Sequence, residues 1–429
     1  MFSELLYRFG TEILPLVYKT LFVLSPIIIP LILIYIAVIL YVRYVQLKYI
    51  ASQEPVLLEI KIPKDIQKSP LAMEIVLGAM QQGGAATYTE AYLVGKVPAW
   101  FSLELVSIEG QVHFYIWACE KKFKAILEHQ IYAQYPSVEV HLVDKDDDYA
   151  KQIPYNPKEY GVWGLQYKLM KDDVYPIKTY VDYNMDKDQK DEYRIDPMTA
   201  VLEFLGSVGK GQQVWLQILI KKHGKEGIKE FRLREKSDWK DAAKAEVDKI
   251  REEATPEPKG DYPGFPNPTK GQVEAIAAIE RSVGKMAFDT MIRGMYIAKE
   301  GTFNPINITG LLGSMRQYSS NNLNGLKLSV WTDTDIDVPL YKDLAVLFPF
   351  LEKPRLAFKA RLTRRMFNAY KLRSHFYPPY KNYRQNPFIL TTEEVATMYH
   401  FPSNVSATPT LTKIASKKSG PPANLPIKK

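Results

Sequence analysis

The hydrophobic pattern of the chain changes period once, early, and that change organises the rest. From Leu21 to Val42 no side chain is charged, and Ile, Leu, Val, Tyr and Phe dominate. About 22 such residues are enough to cross a hydrocarbon layer of about 30 Å. The run passes directly into Arg43, Tyr44, Val45, Gln46, Leu47 and Lys48, with no small-residue cleavage pattern. The reading is therefore a retained membrane anchor, not a signal peptide. Pro26 and Pro30 lie inside the run, where membrane helices tolerate proline.

Beyond the anchor, short runs alternate with helical spacing. Val56 to Ile62 reads as a strand. Ser69-Pro70 reads as the opening of a helix carrying Leu71, Ile75, Val76 and Met80, ended by Gly83-Gly84. A loop leads to Trp100. Phe101–Ile108 and Gln111–Cys119 flank Glu109-Gly110, a hairpin signal. A helix with Phe123, Ile126, Leu127 and Ile131 ends at Pro136, and Val138–Val143 closes the set. The order β-α-β-β-α-β is the ferredoxin-like split βαβ pattern.

A second pass follows. Val174–Tyr183 is expected to be its first strand, Asp196-Pro197 the start of a helix with Val201, Leu202 and Leu205, and Gln212–Ile220 the next strand. A charged insertion, about 221–270, interrupts the pattern. A helix with Val273, Ile276 and Ile279, a strand Met286–Ala298, a helix after Asn304-Pro305 and a strand Leu326–Trp331 complete it. The expected fold is α+β: one N-terminal transmembrane helix, then two tandem ferredoxin-like domains, each with its own antiparallel sheet. The boundaries read 1–50 for the anchor, 51–160 and 161–345 for the two domains, and 346–429 for a basic helix, a short capped helix and a flexible tail.

Charge sharpens only one region. The whole chain carries +8, with a pI near 9.0, and its single cysteine, Cys119, permits no intrachain disulfide. Lys353 to Arg384 holds ten Lys or Arg and no Asp or Glu, with Phe and Tyr interleaved. Leu362, Met366, Tyr370 and Arg373 follow one stripe of a helix there. Arg361, Arg364, Arg365, Lys371 and Arg373 are the candidate contacts for an acidic partner: phosphates of nucleic acid, lipid headgroups or carboxylates of a protein. Further on, Thr391 and Glu394 form a capping box, with Leu390 and Val395 as its hydrophobic staple. Basic residues are more numerous after the span (Arg43, Lys48, Lys61, Lys64, Lys68) than before it (Arg8, Lys19), which favours a cytoplasmic body.

Catalytic signatures are not evident. Gly206–Gly211 lacks the spacing of a phosphate loop and lies between a helix and a strand, the reverse of that motif. Asp182, Asn184, Asp186 and Asp188 begin like a calcium loop, but Lys187 stands where glycine is needed. No histidine has a metal-like partner three or four residues away. No cofactor is expected, and the protein reads as non-enzymatic.

Several runs together resemble a known family. These are FILTTEEVATMYHFP, SKKSGPPANLP, DPMTAVLEFLG with QQVWLQILI, AIERSVGKMAFDTMIRGMYIAK, and GLLGSMRQYSSNNLNGL. They resemble the membrane-anchored N-terminal part of conjugative coupling and type IV secretion-like ATPases of the FtsK/HerA class. In such ATPases the TTEE-to-HFP helix and the PPxxLP tail lead into the motor. No Walker motif is present here. The resemblance therefore implies the non-catalytic half: a membrane-bound component of a DNA or protein translocation system, working as an oligomer with a separate ATPase subunit. The alternative is a membrane-linked nucleic-acid-binding protein using the basic segment.

Overall fold

The computed structural model describes residues 14–63, 68–81, 86–187, 195–224, 239–255, 265–332 and 352–402. The insertion is described only at 221–224, 239–255 and 265–270, and the tail after Pro402 lies outside the described residues. The fold is mixed α+β, with one N-terminal apolar helix and one antiparallel sheet.

The chain divides into two units. The first comprises residues 1–52 and 86–97. Its helix α1 (Leu14–Ser52) runs through both prolines. The portion Phe22–Ser52 is long and apolar enough to span a membrane, and between Phe22 and Tyr41 its exposed side chains are mostly large and apolar. The expected loop before Trp100 is a correction: it contains a π-turn, Glu90–Val94, closed by Gly95 at φ 76°.

The second unit holds the sheet. Its elements are β1 (Val56–Lys61), α2 (Leu71–Ala79), β2 (Trp100–Ile108), β3 (Gln111–Ala118), α3 (Phe123–Gln134), β4 (Glu139–Val143) and α4 (Tyr149–Gln152). Then come β5 (Tyr160–Leu169), α5 (Met198–Gly206), β6 (Gln212–Lys222), α6 (Trp239–Glu253), α7 (Lys270–Val283), β7 (Ala287–Lys299), α8 (Ile306–Gly313) and β8 (Leu326–Trp331). Helix α9 (Glu352–Lys371), β9 (Phe388–Thr391) and α10 (Thr392–Met398) complete it. The strands form one nine-stranded sheet in the order β4-β1-β3-β2-β6-β7-β5-β8, with β9 beside the start of β7. Instead of two separate sheets, the two sets of four strands are joined edge to edge by the β2–β6 ladder, Trp100↔Lys221 to Ile108↔Gln213.

One strand lies elsewhere than expected. Val174–Tyr183 is irregular, and β5 is Tyr160–Leu169. Pro176 removes one ladder donor. Ile177 and Tyr180 turn their backbone N–H groups to side chains of α10, Glu394 Oε1 at 2.9 Å and Thr397 Oγ1 at 3.0 Å. In β5, Gly161 and Gly164 look like breakers, but they mark close approach. A Cβ at Gly164 would lie 2.5 Å from Met295 Sδ.

The two sheet faces differ. On one, Phe101 meets Phe123 of α3 edge-on at 4.9 Å, Ser107 donates to Leu205 O of α5, and the Tyr167 hydroxyl donates to Leu311 O of α8. Phe114 meets Tyr399, at the end of α10, on the same face. The opposite face is covered around β5 and β6 by α9 and the residues after it.

Candidate functional site

Each of five neighbouring strands carries one polar or tyrosine side chain at the same level. Tyr115 of β3 lies opposite Glu104 of β2, which lies opposite Gln217 of β6, then Arg293 of β7, then Gln166 of β5. Direct partners in antiparallel strands share a face. The row therefore sits on the side away from α2, α3, α5 and α8. Glu104 and Gln217 are completely buried. Carboxylates and guanidiniums are rarely so buried unless paired.

The pairing comes from the basic segment. Arg373 donates from Nε to Glu104 Oε1 and from Nη2 to Glu104 Oε2, both at 3.0 Å. It also donates from Nη1 to Asp148 Oδ2 at 2.5 Å and from Nη2 to Asp148 Oδ1 at 3.0 Å. Glu104 accepts further bonds from Ser102, Gln217 and the Tyr149 hydroxyl. Arg293 donates to Gln217 Oε1 and to the carbonyls of Ala369 and Ser374. Burial tends to lower the pKa of Arg373, but Glu104 and Asp148 hold it well above its ordinary value. Burial pulls Arg293 down to about 10, against the attraction of Tyr370 and Glu104.

These bonds lock the C-terminus of α9. Arg373 N–H donates to Tyr370 O and Ser374 N–H to Ala369 O, the Schellman pattern. The residue at the left-handed position is usually glycine; here it is Arg373, at φ 48°. Its backbone is strained so that its side chain can enter the network. Trp100 Nε1 donates to the Arg373 carbonyl, and Lys371 Nζ to Ile153 O. Aromatic residues fill the space beneath: Trp215 lies 6.0 Å from Phe367 and 5.4 Å from Tyr370.

The five expected contact residues thus separate. Arg361, Arg364 and Arg365 are exposed, on the side of α9 away from buried Leu362, Met366, Phe367 and Tyr370. Lys371 is half-buried and turned to a backbone carbonyl. Arg373 is a correction: it is committed to internal carboxylates and does not face an external partner. Glu104, Asp148, Gln217 and Arg293 were not anticipated. The signal was one polar residue in the middle of each apolar strand, in WFSLELVSI, QQVWLQILI and AFDTMIRGMYIAK.

On the helix-bearing side, α10 builds a second charged cluster. The capping box is complete: Thr391 Oγ1 accepts from Glu394 N–H, and Glu394 Oε2 accepts from Thr391 N–H. Burial raises the Glu394 pKa to about 7 despite those donors. Glu393 accepts from Thr179 Oγ1 at 2.6 Å and Arg281 Nε at 3.0 Å. Glu74 accepts from Lys285 at 2.7 Å and the Tyr180 hydroxyl at 2.8 Å. Elsewhere, Cys119 is a buried free thiol, pushed up to about 12 by burial, and is unsuited to nucleophilic chemistry. Among the described residues, no group of three His, Cys, Asp or Glu is placed to hold a metal.

A family model described as "Domain of unknown function (DUF8128)" matches residues 46–413, and the chain belongs to that family. The matched range contains both charged clusters and all five basic residues. No curated protein gives a significant match.

Proposed function

We propose that this chain is a membrane-anchored docking component of a type IV secretion- or conjugation-like translocation system. Its clamped basic helix would receive an acidic surface of a separate FtsK/HerA-like ATPase subunit. The observation that carries the reading is the division of labour within α9. Arg373 is spent inside, fixing the helix on the sheet, while Arg361, Arg364 and Arg365 point outward as a fixed cationic triplet. A rigid mount reduces the ordering cost of binding. The basic residues after the span support a cytoplasmic body. The strand orders β4-β1-β3-β2 and β8-β5-β7-β6 support two ferredoxin-like halves, fused along β2 and β6.

The nucleic-acid alternative is narrowed by burial. Base stacking needs accessible rings; Phe367, Tyr370 and Phe376 are buried, while Phe358, Tyr377, Tyr380 and Tyr383 are half-buried. Phosphate contact by the arginines is the part left to test. Full-length protein in nanodiscs should bind a purified ATPase subunit, and the triple change Arg361→Gln, Arg364→Gln, Arg365→Gln should abolish that binding. Duplex DNA in the same assay is expected not to bind. Equal ATPase binding by wild type and triple variant would sink the docking reading. DNA affinity that falls steeply with salt, and falls again in the variant, would favour the nucleic-acid alternative.

A further inference from the structure

The segment 86–97 belongs with the anchor and not with the sheet unit. It is braced internally. Ala91 N–H donates to Thr87 O and Lys96 N–H to Glu90 O. Glu90 Oε2 accepts from Thr87 N–H at 2.9 Å, and Glu90 Oε1 from Lys96 Nζ at 2.9 Å. Gly95 brings it onto the α1 backbone: a Cβ there would lie 2.3 Å from the Val45 carbonyl and 2.6 Å from Gln46 N. With φ at +76°, this position requires glycine on two counts. Val45 is buried in consequence.

The place of docking is specific. The uncharged run ends at Val42, so Val45 and Gln46 lie about 5 Å further along the helix axis. The headgroup layer on each side of the hydrocarbon is of similar depth, about 5–7 Å. The segment docked there carries exposed apolar side chains: Tyr88 is 61% exposed, Leu93 63% and Val94 57%, and Tyr44, next to Val45 in the sequence of α1, is 62% exposed. Tyrosine is enriched at membrane–water interfaces because its ring is apolar and its hydroxyl polar.

We infer that residues 86–97 form a lipid-contacting collar, seated in the headgroup layer against α1 and dipping Tyr88, Leu93 and Val94 into the bilayer surface. The occupant of this apolar face is the bilayer that surrounds the anchor, because the face continues the anchor's own lipid boundary. The inference rests on reading α1 as a membrane span and adds a second, non-spanning membrane element.

The test uses full-length protein in vesicles of phosphatidylcholine and phosphatidylglycerol. Buried Cys119 stays in place, since it does not label readily. Single variants Leu93→Cys and Tyr88→Cys carry an environment-sensitive fluorophore, and Ile34→Cys serves as the mid-span reference. Labels at 88 and 93 should be quenched by headgroup-level nitroxide lipids more strongly than by deep ones, and protected from aqueous iodide. Adding Gly95→Val should remove that protection by undocking the segment. Failure of both lipid quenchers to reach the Leu93→Cys label would overturn the collar, whether iodide quenches the label instead or a protein covers the face and shields it from iodide too. Failure of the deep nitroxide to quench the Ile34→Cys label would reject the span itself, and the two failures are thereby distinguished.

Discussion

Two buried charged clusters sit on opposite faces of one sheet, and they are built on different terms. Under α9, Arg373 and Glu104 are only 3% and 0% exposed, and Asp148 only 8%. Around α10 the carboxylates are buried but the cations are not: Arg281 and Lys285 are 28% and 29% exposed. The first cluster is a dehydrated lock; the second is a clasp whose cations keep contact with water. Truncating one partner of a fully buried pair strands a charge, whereas a half-exposed cation is partly replaced by solvent and screened by salt.

The pH responses have opposite signs. His375, buried beside Arg293 and Lys221, is held down to about 3, chiefly by burial and then by those cations. Its neutral form contributes stability above the ordinary value of 6.5, and that contribution is lost as pH falls toward about 3. Glu394 is raised from 4.5 to about 7. Its contribution is fully present below 4.5 and is lost as pH rises through about 7. Acid therefore loosens the α9 side, and mild alkali loosens the α10 side.

The sharpest break of this comparison is Arg373→Met. It should cost about 3–5 kcal/mol in urea unfolding of the detergent-solubilised full-length protein, because Glu104 and Asp148 lose their shared cation. Arg373→Gly should recover about 1–2 kcal/mol of that loss by relaxing the left-handed backbone. A cost below 1 kcal/mol for Arg373→Met would contradict the lock.

Glu394→Gln should cost about 1–3 kcal/mol, since an amide offers one acceptor oxygen where the carboxylate serves three donors. The stability slope between pH 4.5 and about 7 that this carboxyl contributes should disappear with it. Finding the same slope in the variant would assign it to another group.

Lys285→Met is expected to cost about 1–2 kcal/mol, and the cost should shrink with added salt. An effect that salt leaves unchanged would put the α10 clasp in the same class as the lock. The smallest effect on folding belongs to the triple Arg361, Arg364 and Arg365 change to Gln, within about 0.5 kcal/mol, as for exposed sites generally. Its consequence should appear in partner binding alone. A large stability loss would mean that the triplet supports the fold.

Much of the chain was legible because its elements carry local signals. The apolar run from Leu21 gave the long apolar helix α1, Glu109-Gly110 gave the β2–β3 hairpin, and Thr391 with Glu394 gave the capped α10. Period and capping are properties of neighbours in sequence, so they can be read without knowing the fold. β5 was misplaced because Gly161 and Gly164 mimic breakers. Their reason is the approach of Phe303 and Met295 from more than 130 residues away.

The basic segment shows where local reading ends. Sequence alone determined that α9 would be amphipathic and cationic, and that Leu362, Met366 and Tyr370 would share a stripe. It placed Arg373 on that apolar stripe without saying what would receive a charge there. Tertiary structure supplied the answer by aligning Glu104, Gln217 and Arg293 across the β2–β6–β7 ladders and bringing Asp148 beside them. A guanidinium is stable in the interior only where distant carboxylates converge on it, and convergence depends on strand register, which no single stretch of the chain contains.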